Sequence, residues 1–424
     1  MSSVTFTSSA PASEQYDRRA MTEFRSWRRR AIWSRRNKAI PLRDMTMMPW
    51  HLAKGVYRAS RVYAPLVSKT FGLPTHRQLI HLFWARARYG LDPSSYYRFQ
   101  LFRPERWQRV ERYLQTSDTS LVLRWLVAQV PEYPPVFFDK RAFAAWCGEH
   151  GFPSVSTLME FEGGEATWSA ASGASLPEAD LFSKPANSQG GDGVLRWTYA
   201  GAGHYVGSDG RACDSRELIA GLARLSADLG RPVLLQRTLR NASSLAHLTL
   251  GALCTARVVT MRPPDGRPQL LYAVYRMPVG GTIADNFDKG GLAAPIDLAT
   301  GRLGAAVRKH PSFLGTRVVR HPDTGAAIEG HQLPDWSEAV SLAVRAHEAI
   351  AWEGVPFIGW DIALLDEGPV LLEGNNVPCS TLAQMASEVP AGESPFVACL
   401  NAHLRARAPG ARAVHDAGPS GLGR

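Results

Sequence analysis

Cysteine is scarce in this chain. Five occur in 424 residues (Cys147, Cys213, Cys254, Cys379 and Cys399), widely scattered and with no CxxC pair. That excludes a disulfide framework and a cysteine zinc site, and it fits free thiols in a reducing, cytoplasmic compartment. No run of about 18 apolar residues occurs, so no membrane-crossing helix is expected. The start of the sequence has no apolar h-region, so no secretory signal is expected. No HExxH or other zinc spacing is present. His204, His247 and His310 are scattered, and Ser, His and Cys assemble into no nucleophile set. Acidic residues are sparse in the first quarter. Residues 1–112 hold 22 Lys/Arg against 7 Asp/Glu, a net +15 in a chain of net +10, so the remainder sums to −5.

A hydrophobic content of 45% with 20% charged residues is that of a soluble globular protein. The length is too great for one ordinary core and predicts two or three subdomains. The basic excess is densest over Arg18–Arg43, where Trp27, Ile32 and Trp33 interleave with arginines. Such a segment fits a solvated arm that packs its few apolar residues on the rest of the protein. It also fits a helix lying on an anionic membrane surface. No nucleic-acid-binding motif is present, so nucleic acid is not an expected partner.

Residues 1–22 are expected as a disordered arm and 23–135 as a basic helical region, broken at Pro49, Pro65, Pro74, Pro93 and Pro104. The run from Pro131 to Pro135 reads as a linker, followed by a helix of about ten residues from Asp139 toward Gly151. Strand-like and helical pieces then alternate to Leu404, which predicts an α/β or α+β fold. Residues 405–424 read as a flexible tail.

The most informative stretch is GWDIALLDEGPVLLEGNN, Gly359–Asn376. Two apolar runs, Ile362–Leu365 and Val370–Leu372, flank the turn residues Asp366–Pro369, as a β-hairpin requires. Asp361 lies on the first strand, and Glu373 and Asn375 lie at the end of the second. Glu373 and Asn375 are two apart and project to one side. Two carboxylates and an amide are hard oxygen ligands that suit Mg²⁺ held against phosphates. The alternatives are a surface hairpin with solvated acids, or Asn375 capping a turn while Asn376 faces the metal.

A second constellation is Leu181–Val194. A strand end carrying Lys184 runs into a loop with Gly190, Gly191 and Gly193. Glycines let backbone N–H groups approach phosphate oxygens, and a lysine neutralises their charge. No Gly-Lys-Ser/Thr follows, so it is not a Walker A loop, and alone it reads equally as a turn.

In order, Lys140, Lys184 with its loop, Leu235-Gln236, Arg257 and Asp361…Glu373-x-Asn375 resemble the ATP-grasp superfamily. The sugar-transfer-associated branch, related to α-L-glutamate ligases, is resembled through Thr255–Thr260, Asp285–Gly291 with Ile296–Gly301, and Trp360 through Asn375. The resemblance implies an α+β ATP-grasp fold, two subdomains clasping ATP, with 136–235 carrying the glycine lid and 236–404 the metal site. It implies phosphate contacts from Lys184 and from Lys140, unless the latter is an exposed residue at a helix N-terminus, a lid formed by Ser188, Gly190, Gly191 and Gly193, and an adenine-reading hinge at Leu235 and Gln236. The acidic residue common on that hinge is absent here, where Gln236-Arg-Thr238 stands. Arg257 would steady a transferred phosphoryl group or an acyl-phosphate oxyanion, unless it is a structural ion pair. Asn286 and Lys289 would contact a phosphate or acidic acceptor, unless theirs is an ordinary loop. Asp361, Glu373 and Asn375 would hold two Mg²⁺, with Mn²⁺ as a substitute. The implied activity is ADP-forming ligation of a small carboxylate to an amine, in polysaccharide, cell-surface or secondary-metabolite synthesis. A small-molecule kinase and a non-catalytic ATP-binding partner of a polysaccharide machine are the alternatives. A homodimer is the implied assembly.

Overall fold

The computed structural model describes residues 17–36, 48–128, 135–170, 176–187, 193–283, 285–350 and 355–407. The linker expected before Pro135, most of the glycine loop and the tail beyond Arg407 lie outside them.

The first part is helical: α1 (Arg18–Arg36), α2 (Met48–Phe71), α3 (Thr75–Tyr89), α4 (Pro93–Arg98), α5 (Pro104–Trp107) and α6 (Thr116–Val127). Prolines set several of its boundaries. Pro93 and Pro104 open α4 and α5, where a missing N–H costs nothing, and Pro74 precedes α3. Pro65 differs from expectation, because α2 runs through it. An interior proline loses the bond to the carbonyl four residues back and crowds that carbonyl with its ring, and the packing of buried Ala64 and Val67 offsets this cost.

Helix α1 starts at Arg18, inside the segment expected as a disordered arm. Met21, Phe24, Trp27 and Ala31 recur at helical spacing and are all buried, the first three in a cluster with Leu123, Leu126, Leu400 and Leu404. Full burial of one such large side chain is worth about 1.5–3 kcal/mol, so this helix is an anchored part of the fold.

Next come α7 (Lys140–Glu149) and strands β1 (Thr157–Glu162), β2 (Glu165–Ser169), β3 (Leu181–Pro185), β4 (Leu195–Gly201), β5 (His204–Gly207), β6 (Ala212–Asp214) and β7 (Val233–Arg237). They form one sheet in the order β2-β1-β7-β3-β4-β5-β6. Helix α8 (Ser215–Leu229) covers it and is opened by an Asp214–Glu217 capping box.

The second sheet uses β8 (Thr255–Met261), β9 (Gln269–Met277), β10 (Leu292–Pro295), β11 (Val307–Arg308), β12 (Phe357–Leu365) and β13 (Gly368–Asn375), in the order β11-β10-β9-β8-β12-β13. All its strand pairings are antiparallel. Helix α9 (Trp336–Ala349) and α7 share a buried cluster with Val258, Ile358, Trp360 and Ile362. Helices α10 (Ser380–Ser387) and α11 (Phe396–Ala406) complete the chain. The architecture is α+β, two antiparallel sheets with a helical region ahead of them. Among the described residues no helix is long and apolar enough to cross a membrane.

Strand alternation fixes what the second sheet shows to each side. Ile358, Trp360, Ile362 and Leu364 enter the core beneath α9. Asp361 therefore points to the opposite face, as do Thr255 and Arg257 of β8 and Arg276 of β9.

Candidate active site

A cleft of about 1300 Å³ lies over that opposite face. The second sheet lines it with Arg257, Arg276, Asp361, Glu373 and Asn375, and the first sheet with Lys184 and Gln236. Lys140 and the chain from Arg237 to Leu239 also line it.

The hairpin β12–β13 forms as its sequence predicts, with one addition. Ile362 pairs with Leu371, but Asp361 pairs with Glu373, so Leu372 is an extra residue on β13. Residues two apart normally share a face, and Leu371 is in the core. The bulge reverses that parity and turns Glu373 and Asn375 into the cleft beside Asp361. Asn375 Nδ2 donates to Glu373 Oε1 at 3.1 Å.

Asp361 is held on both oxygens. Arg257 Nε donates to Oδ1, Arg257 Nη2 to Oδ2 at 3.0 Å, and Arg276 Nη2 to Oδ2 at 2.8 Å. Burial by itself would raise the Asp361 pKa, but the charges of Arg257 and Arg276 outweigh it and hold the carboxyl well below the usual range. Arg276 also donates from Nη2 to Thr255 Oγ1 at 2.6 Å and lies 3.3 Å from Asp285, to which the Thr255 hydroxyl donates. Burial raises the Asp285 pKa despite Arg276.

Two lysines face this floor. Burial, reinforced by the charge of Lys140, pushes Lys184 down to about 8, while Glu373 opposes the shift. Burial also lowers Lys140, against Glu373 and Asp139. Lys140 Nζ donates to the Ala186 carbonyl at 3.3 Å. Two ammonium groups crowded into one pocket are the complement of a polyanion.

The other expected residues divide. Asn286 lines the cleft, and its side chain accepts from the Asp288 N–H at 2.9 Å, a capping role. Lys289 is exposed and absent from the lining, which instead has Lys309, paired with Asp288. The Leu235 side chain is fully buried in the core of the first sheet, and its strand is flanked by β1 and β3 on both sides. Gln236 does line the cleft, with Nε2 donating to Thr157 Oγ1 at 3.2 Å. Gly193 has φ +73° and lies outside the lining, while Ser188, Gly190 and Gly191 lie outside the described residues. Sequence reasoning missed Arg276, Asp285 and Thr255 as site residues. An arginine inside the apolar run LLYAVYRM of β9 was the available signal for the first.

Donor chemistry decides how these residues fit Mg²⁺. Asp361, Glu373 and Asn375 supply hard oxygens from adjacent strands, the right donor class. Two guanidinium groups already share Asp361, and no cluster of three or more His, Cys, Asp or Glu donors exists among the described residues. The set fits a hard cation completed by phosphate oxygens and waters, and does not fit an all-protein cage.

The profile of the sugar-transfer-associated ATP-grasp family matches residues 129–392, more than half of the chain. The chain belongs to that family. No curated protein matches it. Among solved structures it is similar to the D-cycloserine synthetase DcsG, at 15% identity and TM-score 0.35 over 74% of this chain and 82% of that one. It is similar to a D-alanine–D-alanine ligase from Bacillus anthracis complexed with ATP, at 12% and 0.36 over 64% and 67%. An L-amino acid ligase from Bacillus licheniformis gives 12% and 0.36 over 66% and 53%. Likeness at this level bears on neither substrate nor reaction.

Proposed function

We propose that this ATP-grasp protein is an ATP- and Mg²⁺-dependent, ADP-forming carboxylate–amine ligase. The observation that carries the reading is the convergence of Lys140 and Lys184 on the Asp361–Glu373–Asn375 hairpin across one cleft. In this reading the two lysines hold the nucleotide's phosphates, and Glu373 and Asn375 are the main cation ligands, with Asp361 shared between cation and arginines. Bound Mg²⁺ would supply charge neutralisation on the phosphate oxygens. A carboxylate oxygen of the acid takes the terminal phosphoryl group and ADP leaves. An amine then attacks the carbonyl carbon, an amide C–N bond forms, and inorganic phosphate departs with the acyl C–O electrons. Arg257 and Arg276 fix the floor on which the phosphoryl group moves, since phosphoryl transfer depends on positioning and positive charge.

The subdomain division at residues 135 and 235, and a cytoplasmic location consistent with five free thiols, belong to the same reading. Hydroxylamine trapping tests it. ATP-dependent hydroxamate from a panel of amino acids and small dicarboxylates supports ligation. A stable phosphorylated hydroxy compound with no hydroxamate would make the protein a kinase. Absence of both ADP release and ATP-dependent thermal stabilisation would make it non-catalytic.

A further inference from the structure

Helix α3 is apolar on two opposite faces. Leu82 and Ala85 are buried in the core of the helical region, with Gln78 beside them. Leu79, Ile80, Phe83 and Trp84 are instead 41%, 54%, 66% and 53% exposed. At roughly 100° per residue these four side chains adjoin one another on the face turned from the core. The Phe83 and Trp84 rings meet edge-on, with centroids 6.1 Å apart. Single exposed apolar residues are ordinary, but four contiguous ones, two of them aromatic, form a patch.

The surroundings of the patch are cationic. Arg77 and Arg88 are exposed on α3, and Lys54, Arg58, Arg61 and Lys69 on its hairpin partner α2. From Met48 to Leu91 there is no Asp or Glu. No residue of α2 or α3 lines the catalytic cleft, so the patch is separate from the site above.

We propose that the α2–α3 hairpin docks on an anionic lipid bilayer. Helix α3 lies in the interface with Ile80, Phe83 and Trp84 at the headgroup–acyl boundary and the basic residues on lipid phosphates, the arrangement of an interfacial amphipathic helix. Charge favours this occupant over a second copy. A two-fold contact would set two cationic hairpins together with no carboxylate on either to answer them. The aromatic residue Trp27 of the arginine-rich α1 is packed into the core and is not available for the purpose.

The test is vesicle flotation of the full chain. Phosphatidylcholine vesicles are compared with phosphatidylcholine vesicles containing phosphatidylserine, at low and high salt. The chain is expected to float with the anionic vesicles and to dissociate at high salt. Ile80→Glu/Phe83→Glu should lower partitioning at least about tenfold. Arg77→Gln/Arg88→Gln should lower it roughly fivefold per charge. Both pairs are exposed, so an unchanged melting temperature shows that the variants fold. Wild-type failure to bind anionic vesicles overturns the proposal, as does undiminished binding by Ile80→Glu/Phe83→Glu. A concentration-dependent dimer that this variant dissolves, without vesicle binding, would assign the patch to a second copy.

Discussion

Glu373 stands opposite Asp361 because β13 carries one residue more than β12 at Leu372. The two carboxylates then have different duties. Asp361 is neutralised by Arg257 and Arg276, whereas Glu373 faces Lys140 and Lys184. Glu373→Gln is therefore expected to cut ATP turnover by about 100-fold or more while leaving the urea midpoint unchanged. ADP release by a coupled assay checks the first part. Retained turnover would remove Glu373 from the metal set.

Asp361→Asn should behave differently. It leaves buried Arg257 without the carboxylate that pairs it and Arg276 with Asp285 alone, and breaking a buried pair from one side costs about 3–5 kcal/mol. A fall in urea-unfolding free energy of that size is expected, together with loss of turnover. If Asp361→Asn matched Glu373→Gln in stability, the carboxylate would serve the cation alone and the arginine network would be incidental.

The sequence showed the α+β class and the hairpin because both are local: turn residues between apolar runs, and helices spaced by proline and glycine. It did not show the Leu372 bulge, since one extra strand residue leaves composition and turn chemistry untouched. Nor did it mark Arg276, whose role depends on β9 pairing with β8, Thr255 opposite Arg276. Lys289 adjoins lining residues in sequence, while the fold brings Lys309 to the cleft lining from just beyond β11. The stretch Ile296–Gly301 carries part of the family resemblance yet lies outside the cleft lining. It is a tight turn in which Gly301, at φ +75°, leaves no space for a Cβ against Trp336. The arginine-rich segment reads as an arm packing its few apolar residues on the protein, and Trp27 does pack, but its partners on α11 lie nearly four hundred residues away and carry no local signal.

His347 gives a stability signature in mild acid. Trp360 Nε1 donates to Thr260 Oγ1 at 3.0 Å, and Thr260 Oγ1 lies 2.7 Å from His347 Nδ1. Nε2 lies 3.2 Å from the Val355 carbonyl, which can only accept, so Nε2 carries the proton and Nδ1 accepts from Thr260. The ring is neutral, and burial, reinforced by Arg262, lowers its pKa to about 3. The unfolded chain protonates this residue near 6.5 and the folded chain does not, so stability falls as pH drops from 6.5 toward 3. The slope from this residue is about 1.4 kcal/mol per pH unit. Urea midpoints at pH 7.5, 6.5 and 5.5 should show the decline, and His347→Gln should flatten it. Equal slopes would place the acid sensitivity elsewhere.

Lys184 works in the opposite window. Burial lowers its pKa to about 8, and an unfolded lysine titrates near 10.4. Between these values the unfolded chain binds more protons, so the ATP-free protein gains stability as pH rises from 8 to 10. A phosphate ligand reverses the preference, because the charged ammonium is the form that binds it. ATP should therefore raise the lysine pKa and take up a proton near pH 8, and its affinity should weaken as pH rises above that value. Calorimetric titration of ATP at pH 8 in two buffers of different ionisation enthalpy reads the proton directly. Lys184→Met separates the two effects. It should lose at least about tenfold in ATP affinity through the missing charge-assisted contact, yet unfold at higher urea than wild type at pH 7, since a buried charge has been replaced by an apolar side chain of similar length. A variant that lost stability together with affinity would mean that Lys184 is paired within the folded protein, and that the cleft is not waiting for an anion there.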